Sequence, residues 1–187
     1  MKIGLGQKLG MTRIFDADGK MIAVTKVALF ASQITQVKSV DTDGYKSVQI
    51  AAIKKGAHKD KTIRKTEFRL DEIDGYKQGD ELKNEFATGD VVEITGTSKG
   101  KGFAGTIKRY NFKRGPEGHG GNNVREPGSI GAQQPQRVVL GRHMAGHMGM
   151  TTVCVKNLRV IDIENDTLLI SGAIPGPNKG ILRIVSK

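Results

Sequence analysis

Three groups of residues near the middle of the chain have types and spacings that chemistry can use. Gly100, Gly102 and Gly105 lie in G-K-G-F-A-G, a match to G-x-G-x-x-G that follows a strand-like run. In a dinucleotide-binding loop such glycines turn the chain tightly and let backbone N–H groups approach a pyrophosphate. That use also needs a βαβ unit and an acidic residue about 20 positions further on, on the next strand. Glu117 and Glu126 fall near that distance, but in glycine-rich coil. The second group is His143 and His147, with His119 and Cys154 elsewhere. Zinc pairs are usually spaced more tightly, and this H-x-x-x-H lacks the glutamate of a metalloprotease helix. The third group is charge. Lys99, Lys101, Lys108, Arg109, Lys113, Arg114, Arg125, Arg137 and Arg142 face only two acids in the same stretch. Cations of this density neutralise phosphates, and the glycines beside them bring backbone N–H groups to the same oxygens.

The third reading absorbs much of the other two. His119, His143 and His147 sit among the cations, where hydrogen bonds to phosphate or stacking on bases suit an imidazole. Phe103, Tyr110 and Phe112 alternate with Lys and Arg, a mixture that stacks bases while holding the backbone. Plugging a small local cluster is the other role open to them. Gln133, Gln134 and Gln136 are uncharged donors and acceptors suited to base edges and riboses. Met144, Met148 and Met150 are flexible apolar groups that fill irregular gaps. Ser129, in G-S-I-G, does not form the G-x-S-x-G elbow of a nucleophile. No acid is spaced with a histidine as a catalytic pair would be, so the chain reads as a non-enzyme without cofactor or small-molecule substrate. The competing class is a nucleotide-dependent enzyme built on the glycine loop.

The elements that must position these groups lie on either side. Residues 98–150 hold nine Lys or Arg against two acids, which is +7 of the chain's +11, and 12 of its 25 glycines. Their apolar residues keep neither a period of 2 nor of 3.6, so the stretch buries no core of its own. A long structureless segment within a compact domain is usually functional or disordered. This one reads as a segment ordered by RNA. The single cysteine, Cys154, excludes an intrachain disulfide and reads as a small strand residue. No apolar run approaches a membrane span, and the N-terminus is too polar and glycine-rich for a signal peptide, so a cytoplasmic protein is expected.

Residues 1–97 read as short strands punctuated by Asp18-Gly19, Asp43-Gly44 and Asp74-Gly75, dipeptides that accept positive φ in tight turns. Strand-like runs cover 11–15, 21–29, 33–40, 47–53 and 90–96, with a further strand expected over 68–73. Gly4 and Gly6 read as strand glycines. Residues 54–66 are basic and nearly without apolar groups, either a solvated loop or short surface helix or a second phosphate-contact patch. Residues 79–85 read as an acidic turn or short helix, and residues 101–110 as a segment able to close into a short helix. After Met150, residues 152–163 form a long strand whose alternation changes phase between Val155 and Leu158, as a bulge produces. Residues 168–171 and 181–185 complete the set. These spacings predict a mainly β protein, an antiparallel barrel formed by 1–97 and 151–187 as one sheet system. The basic segment 98–150 is then an insertion between strands.

Several motifs in one order resemble the bacterial form of the ribosomal protein L3 family. They are G-Q-K-L-G-M-T-R-I-F at 6–15, I-T-G-T-S-K-G-K-G-F-A-G at 94–105, K-R-Y-N-F-K-R-G-P at 108–116, P-G-S-I-G at 127–131 and M-A-G-H-M-G at 144–149. The resemblance covers nearly the whole chain. It implies a barrel similar to that of translation factors and a long extension that penetrates 23S rRNA toward the peptidyl transferase centre. It also implies early binding in large-subunit assembly, with neighbouring ribosomal proteins as further partners. The nine cations, the three histidines, Ser129, Gln133 and Gln134 become RNA-contact candidates, with the tip of the extension at 128–142. A glutamine of that tip is N5-methylated in some bacteria, which makes Gln134, or Gln133 beside it, the candidate for a glutamine methyltransferase. This chain has Pro135-Gln136-Arg137-Val138 where family members often read P-G-K-V or P-G-R-V, and its spacing from G-S-I-G to M-A-G is one residue shorter. His143 stands where a Lys or Arg is usual, which makes one contact pH-dependent.

Overall fold

The computed structural model describes residues 1–16, 18–54, 61–73 and 75–186, and the chain is mainly β. In order, the elements are β1 (Lys2–Phe15), β2 (Met21–Leu29), β3 (Ala31–Lys38), the single-turn helix α1 (Val40–Asp43), β4 (Ser47–Lys54), β5 (Lys61–Arg69), β6 (Glu81–Leu82) and β7 (Val91–Thr97). They continue with β8 (Phe103–Ala104), α2 (Thr106–Tyr110), β9 (Gly146–His147), β10 (Thr152–Glu164), β11 (Thr167–Ser171) and β12 (Ile181–Ser186). Contacts divide the chain into two compact units, one of Met1–Ser98 with Thr152–Lys187 and one of Lys99–Thr151.

In the first unit six strands hydrogen-bond in the order β1-β12-β7-β10-β11-β2, every pair antiparallel, and β2 returns to β1 to close the ring. Closure removes sheet edges. Alternation then decides what fills the interior. Val27, Val92, Ile94, Leu168, Ile170, Leu182 and Ile184 form one buried cluster with Phe86 and Ile174. Six strands enclose little space, which explains the glycines at inward positions. A Cβ at Gly6 would lie 2.6 Å from Val27 Cγ1, one at Gly4 2.9 Å from Phe86 Cε2, and one at Gly96 2.7 Å from Leu182 Cδ2. The G-x-G near the N-terminus is therefore a packing requirement.

The alternate faces of β1 and β12 bury Ile3, Leu5 and Val185 against Ile34, Val48, Ile50, Ala52, Phe68 and Leu70. The partners belong to a separate four-stranded sheet in the order β5-β4-β3-β6. This corrects the expectation of one sheet system, because period-2 alternation reveals a buried face without revealing which sheet covers it. Residues 61–66, expected as loop or helix, belong to β5, which pairs with β4 from Ser47↔Arg69 to Lys54↔Lys61. β5 lies at the edge of its sheet, where exposed charge blocks further pairing. Residues 55–60 of the same basic patch, and Asp74 of the third turn dipeptide, lie outside the described residues. β5 ends at Arg69, so no strand covers 68–73, and Glu81 with Leu82 pairs with β3 where a turn or helix was expected. Gly44 closes α1 at φ 81°, its N–H donating to the Val40 carbonyl. The register of β10 against β7 shifts between Val155 and Leu158, where the alternation changes phase.

The second sheet carries a polar network. Lys38 Nζ donates to Glu67 Oε2 at 2.9 Å and Tyr45 Oη at 2.8 Å, and Ser47 Oγ donates to Glu67 Oε1 at 2.9 Å. These hydrogen bonds, Lys38 first and Ser47 next, hold the Glu67 carboxyl down from 4.5 to about 2. A depressed folded pKa gives stability that is present above 4.5 and lost as pH falls through about 2. Urea melts should therefore find Glu67→Gln less stable than the parent near neutrality. The difference should shrink as pH falls from 4.5 toward 2, whereas a pH-independent difference would mean that the carboxylate charge contributes nothing.

Candidate nucleic-acid interface

The second unit has almost no core. Its only buried residues are Ala104 and Thr106, and from 116 to 143 every residue is exposed except half-buried Val124. What order it has comes from backbone pairing at its two ends. Phe103 pairs with His147 and Ala104 with Gly146. The Lys101 N–H donates to the Met148 carbonyl at 2.8 Å, and the Met148 N–H to the Gly102 carbonyl at 2.9 Å. Gly149, at φ 80°, lies so close to the Lys99 carbonyl that no Cβ fits there. The segment expected to close into a helix over 101–110 does so only from Thr106, because 103–104 is spent on the β8–β9 bridge.

The aromatic residues and histidines satisfy one another across this base. Tyr110 and His143 stack with centroids 4.0 Å apart at 6°, and Phe112 lies 6.5 Å from the same imidazole. Phe103 meets His147 edge-on at 5.8 Å, yet remains 72% exposed. Of the two roles left open for these rings, local clustering describes Tyr110 and Phe112, while Phe103 keeps a free face. Arg109 is also engaged internally. Its Nη1 donates to the Met144 carbonyl at 2.9 Å, and its guanidinium lies 5.0 Å from the Tyr110 centroid. A side chain at Gly146 would collide with that guanidinium, so glycine there makes room for the brace.

The other cations are presented outward. Arg114 pairs with Glu117, and Arg142 Nη2 donates to the Ser129 carbonyl at 2.6 Å, tying the two ends of segment 129–142 together. Lys99, Lys101, Lys108, Lys113, Arg125 and Arg137 are exposed, and among the described residues none forms an ion pair. His119 is exposed at φ 63°, and Gln133 and Gln134 are exposed beside Pro135. Sequence reasoning passed over Val138, Val139 and Leu140, three exposed apolar residues between Arg137 and Arg142, with Leu140 92% exposed. A three-residue apolar run inside the basic segment was the available signal. Six free cations, an exposed ring and an apolar run on an uncored backbone make a surface for a polyanion that also offers apolar bases.

The dinucleotide reading does not find its context. A dinucleotide loop needs parallel strands joined through a helix, whereas β8 and β9 are antiparallel and α2 spans five residues. Among the described residues no three His, Cys, Asp or Glu side chains are grouped as metal ligands. No helix among them is long and apolar enough to cross a membrane.

The fold and this surface define a class, a β protein whose positive charge is concentrated on a separate, open unit. The chain belongs to the ribosomal protein L3 family, whose model matches residues 11–173. It is 45% identical over 202 residues to the large ribosomal subunit protein uL3 of Alkaliphilus metalliredigens, covering 98% of this chain and 96% of that one. The uL3 of Heliobacterium modesticaldum is also 45% identical, over 199 residues, covering 97% and 95%. The uL3c protein of Emiliania huxleyi is 42% identical over 200 residues, covering 97% of each. The family is one of ribosomal structural proteins, not of enzymes.

Proposed function

We propose that this protein is a cytoplasmic structural constituent of the large ribosomal subunit that binds 23S rRNA through Lys99–Thr151. The barrel, similar in this reading to that of translation factors, docks against RNA and neighbouring ribosomal proteins. The second unit threads between RNA helices toward the peptidyl transferase centre and helps fix them early in assembly. One observation carries this reading: six unpartnered cations stand on a segment with almost no core. Ordering its backbone costs about 1–2 kcal/mol per residue, and with so little burial to offset this, phosphate contacts with counterion release must supply the difference. Relatives named as large-subunit proteins over nearly the whole length support the same assignment. Gln133 and Gln134 are both exposed, so a glutamine methyltransferase has access to either.

Amide hydrogen exchange with and without 23S rRNA tests the proposal. In the free protein, amides of 116–143 other than those of Arg137 and Arg142 should exchange quickly, while those of Lys101 and Met148, which are hydrogen-bonded across the base of the unit, exchange more slowly. Adding rRNA should protect 116–143. Unchanged exchange there in the presence of bound rRNA would defeat the proposal.

A further inference from the structure

The first unit has a place of its own where phosphate chemistry fits, and it draws Arg64 from the basic patch 54–66. A cleft of about 210 Å³ opens between β5 and the outer faces of β7, β10 and β12. Its polar walls are Arg64 and Thr66 from β5, Thr95 and Thr97 from β7, Thr152 from β10 and Arg183 from β12. Sheet register puts these groups together. Thr95 pairs directly with Arg183, and Thr97 directly with Thr152, so the hydroxyls and the guanidinium share one face.

Arg183 is held without being satisfied. Its guanidinium lies 4.6 Å from the Phe68 centroid, while its Nε is buried and lacks a hydrogen-bond partner. An unpaired donor on a charged group is unfavourable, and such cases call for an explanation. Arg64 is exposed and in no ion pair among the described residues. One acid, Glu67, also lines the cleft, but its two oxygens already accept from Lys38 and Ser47. The cleft therefore presents two uncommitted guanidinium groups and a row of hydroxyls, with no uncommitted carboxylate.

We propose that this cleft, built wholly from residues of the first unit, is a binding site for a backbone phosphate of RNA. Arg64 and Arg183 neutralise the phosphodiester from two sides, and the planar guanidinium suits its paired oxygens. The threonine hydroxyls donate to the remaining oxygens or to the adjacent 2′-OH. The volume admits a phosphate group with part of its hydration, a water molecule occupying about 30 Å³ of liquid. The site rests on the RNA-binding reading and adds to it a fixed contact on the barrel side, one whose geometry is set before RNA arrives.

The test is filter binding of the full-length protein to transcribed 23S rRNA across a potassium chloride series, for four proteins. They are the parent, Arg64→Gln with Arg183→Gln, Thr152→Val alone, and a charge-matched control, Lys77→Gln with Lys83→Gln, on exposed residues outside the cleft. Circular dichroism melts of each establish folding, and Thr152→Val leaves both arginines in place should the double arginine variant unfold. The double arginine variant should bind about tenfold more weakly and lose about two units of the salt slope, one for each phosphate-contacting cation. Thr152→Val should weaken binding about threefold with the slope unchanged. The Lys77 and Lys83 control should match the parent. A parent that binds while the arginine and threonine variants bind equally well overturns the cleft and leaves the RNA reading standing. Equal losses in the control and the arginine variant also overturn it, since charge alone would then account for the effect. A parent that fails to bind 23S rRNA overturns both.

Discussion

Changing Lys99, Lys101, Lys108, Lys113, Arg125 and Arg137 together to glutamine should all but abolish binding of 23S rRNA at physiological salt while leaving the fold intact. Each phosphate contact contributes about 0.7–0.9 to the slope of log affinity against log salt, so six contacts contribute about four to five. A slope of that size costs the parent about 10³ in affinity between 50 and 200 mM salt, and most of this dependence should vanish in the variant. The fold should be unaffected because these side chains are exposed and form no ion pair among the described residues. Arg109 is left out deliberately. It braces Met144 and Tyr110, so changing it would disturb the unit as well as its charge. The measurement is filter binding over a salt series with a circular dichroism melt of each protein. A sixfold variant that keeps the parental slope would show that these cations meet no phosphate.

The largest effect on stability should come from Phe68→Ala. Phe68 is fully buried where the second sheet packs on the outer faces of β1 and β12, beside Ile50, Leu5 and Val185. Removing a buried phenylalanine costs about 3–5 kcal/mol through lost transfer energy and the cavity left behind. That is a large share of the roughly 5–15 kcal/mol by which domains are usually stable. Leu140→Ala supplies the contrast. Leu140 is 92% exposed, so its truncation should change stability by no more than about 0.5 kcal/mol. Urea denaturation of both variants decides the matter. Comparable losses would mean that the basic unit has a core in solution, against the exposure of 116–143.

The elements differ in how far local pattern gives them away. Val92 and Ile94 alternate cleanly on β7, and the phase change at Val155 and Leu158 marks the bulge in β10, because both features are properties of a single strand. Membership of a sheet is not such a property. Val48, Ile50 and Ala52 alternate just as clearly, yet nothing local says that they meet Ile3 and Leu5 across a sheet boundary. β5 was harder still, since Phe68 is the only fully buried side chain among those described on it and its exposed charges resemble a loop.

The basic surface was legible from composition, because charge that stays exposed needs no tertiary information. Its internal contacts were not. His143 stacks on Tyr110, 33 positions away, and Arg109 reaches Met144, 35 positions away. From the sequence Arg109 and His143 read as RNA ligands, and Tyr110 as either a stacking ring or part of a local cluster. The structure shows them first as the groups that hold the base of the unit, leaving the six unpartnered cations as its outward charge.

Sucrose-gradient sedimentation of a cell lysate, probed for this protein at moderate and at very high salt, tests the central claim most directly. A protein that threads basic chain through RNA should sediment stoichiometrically with the large subunit and stay there at moderate salt, leaving it only when screening becomes extreme. Recovery at the top of the gradient at both salts would contradict the account, since neither the barrel nor the basic unit would then be part of a ribosomal particle.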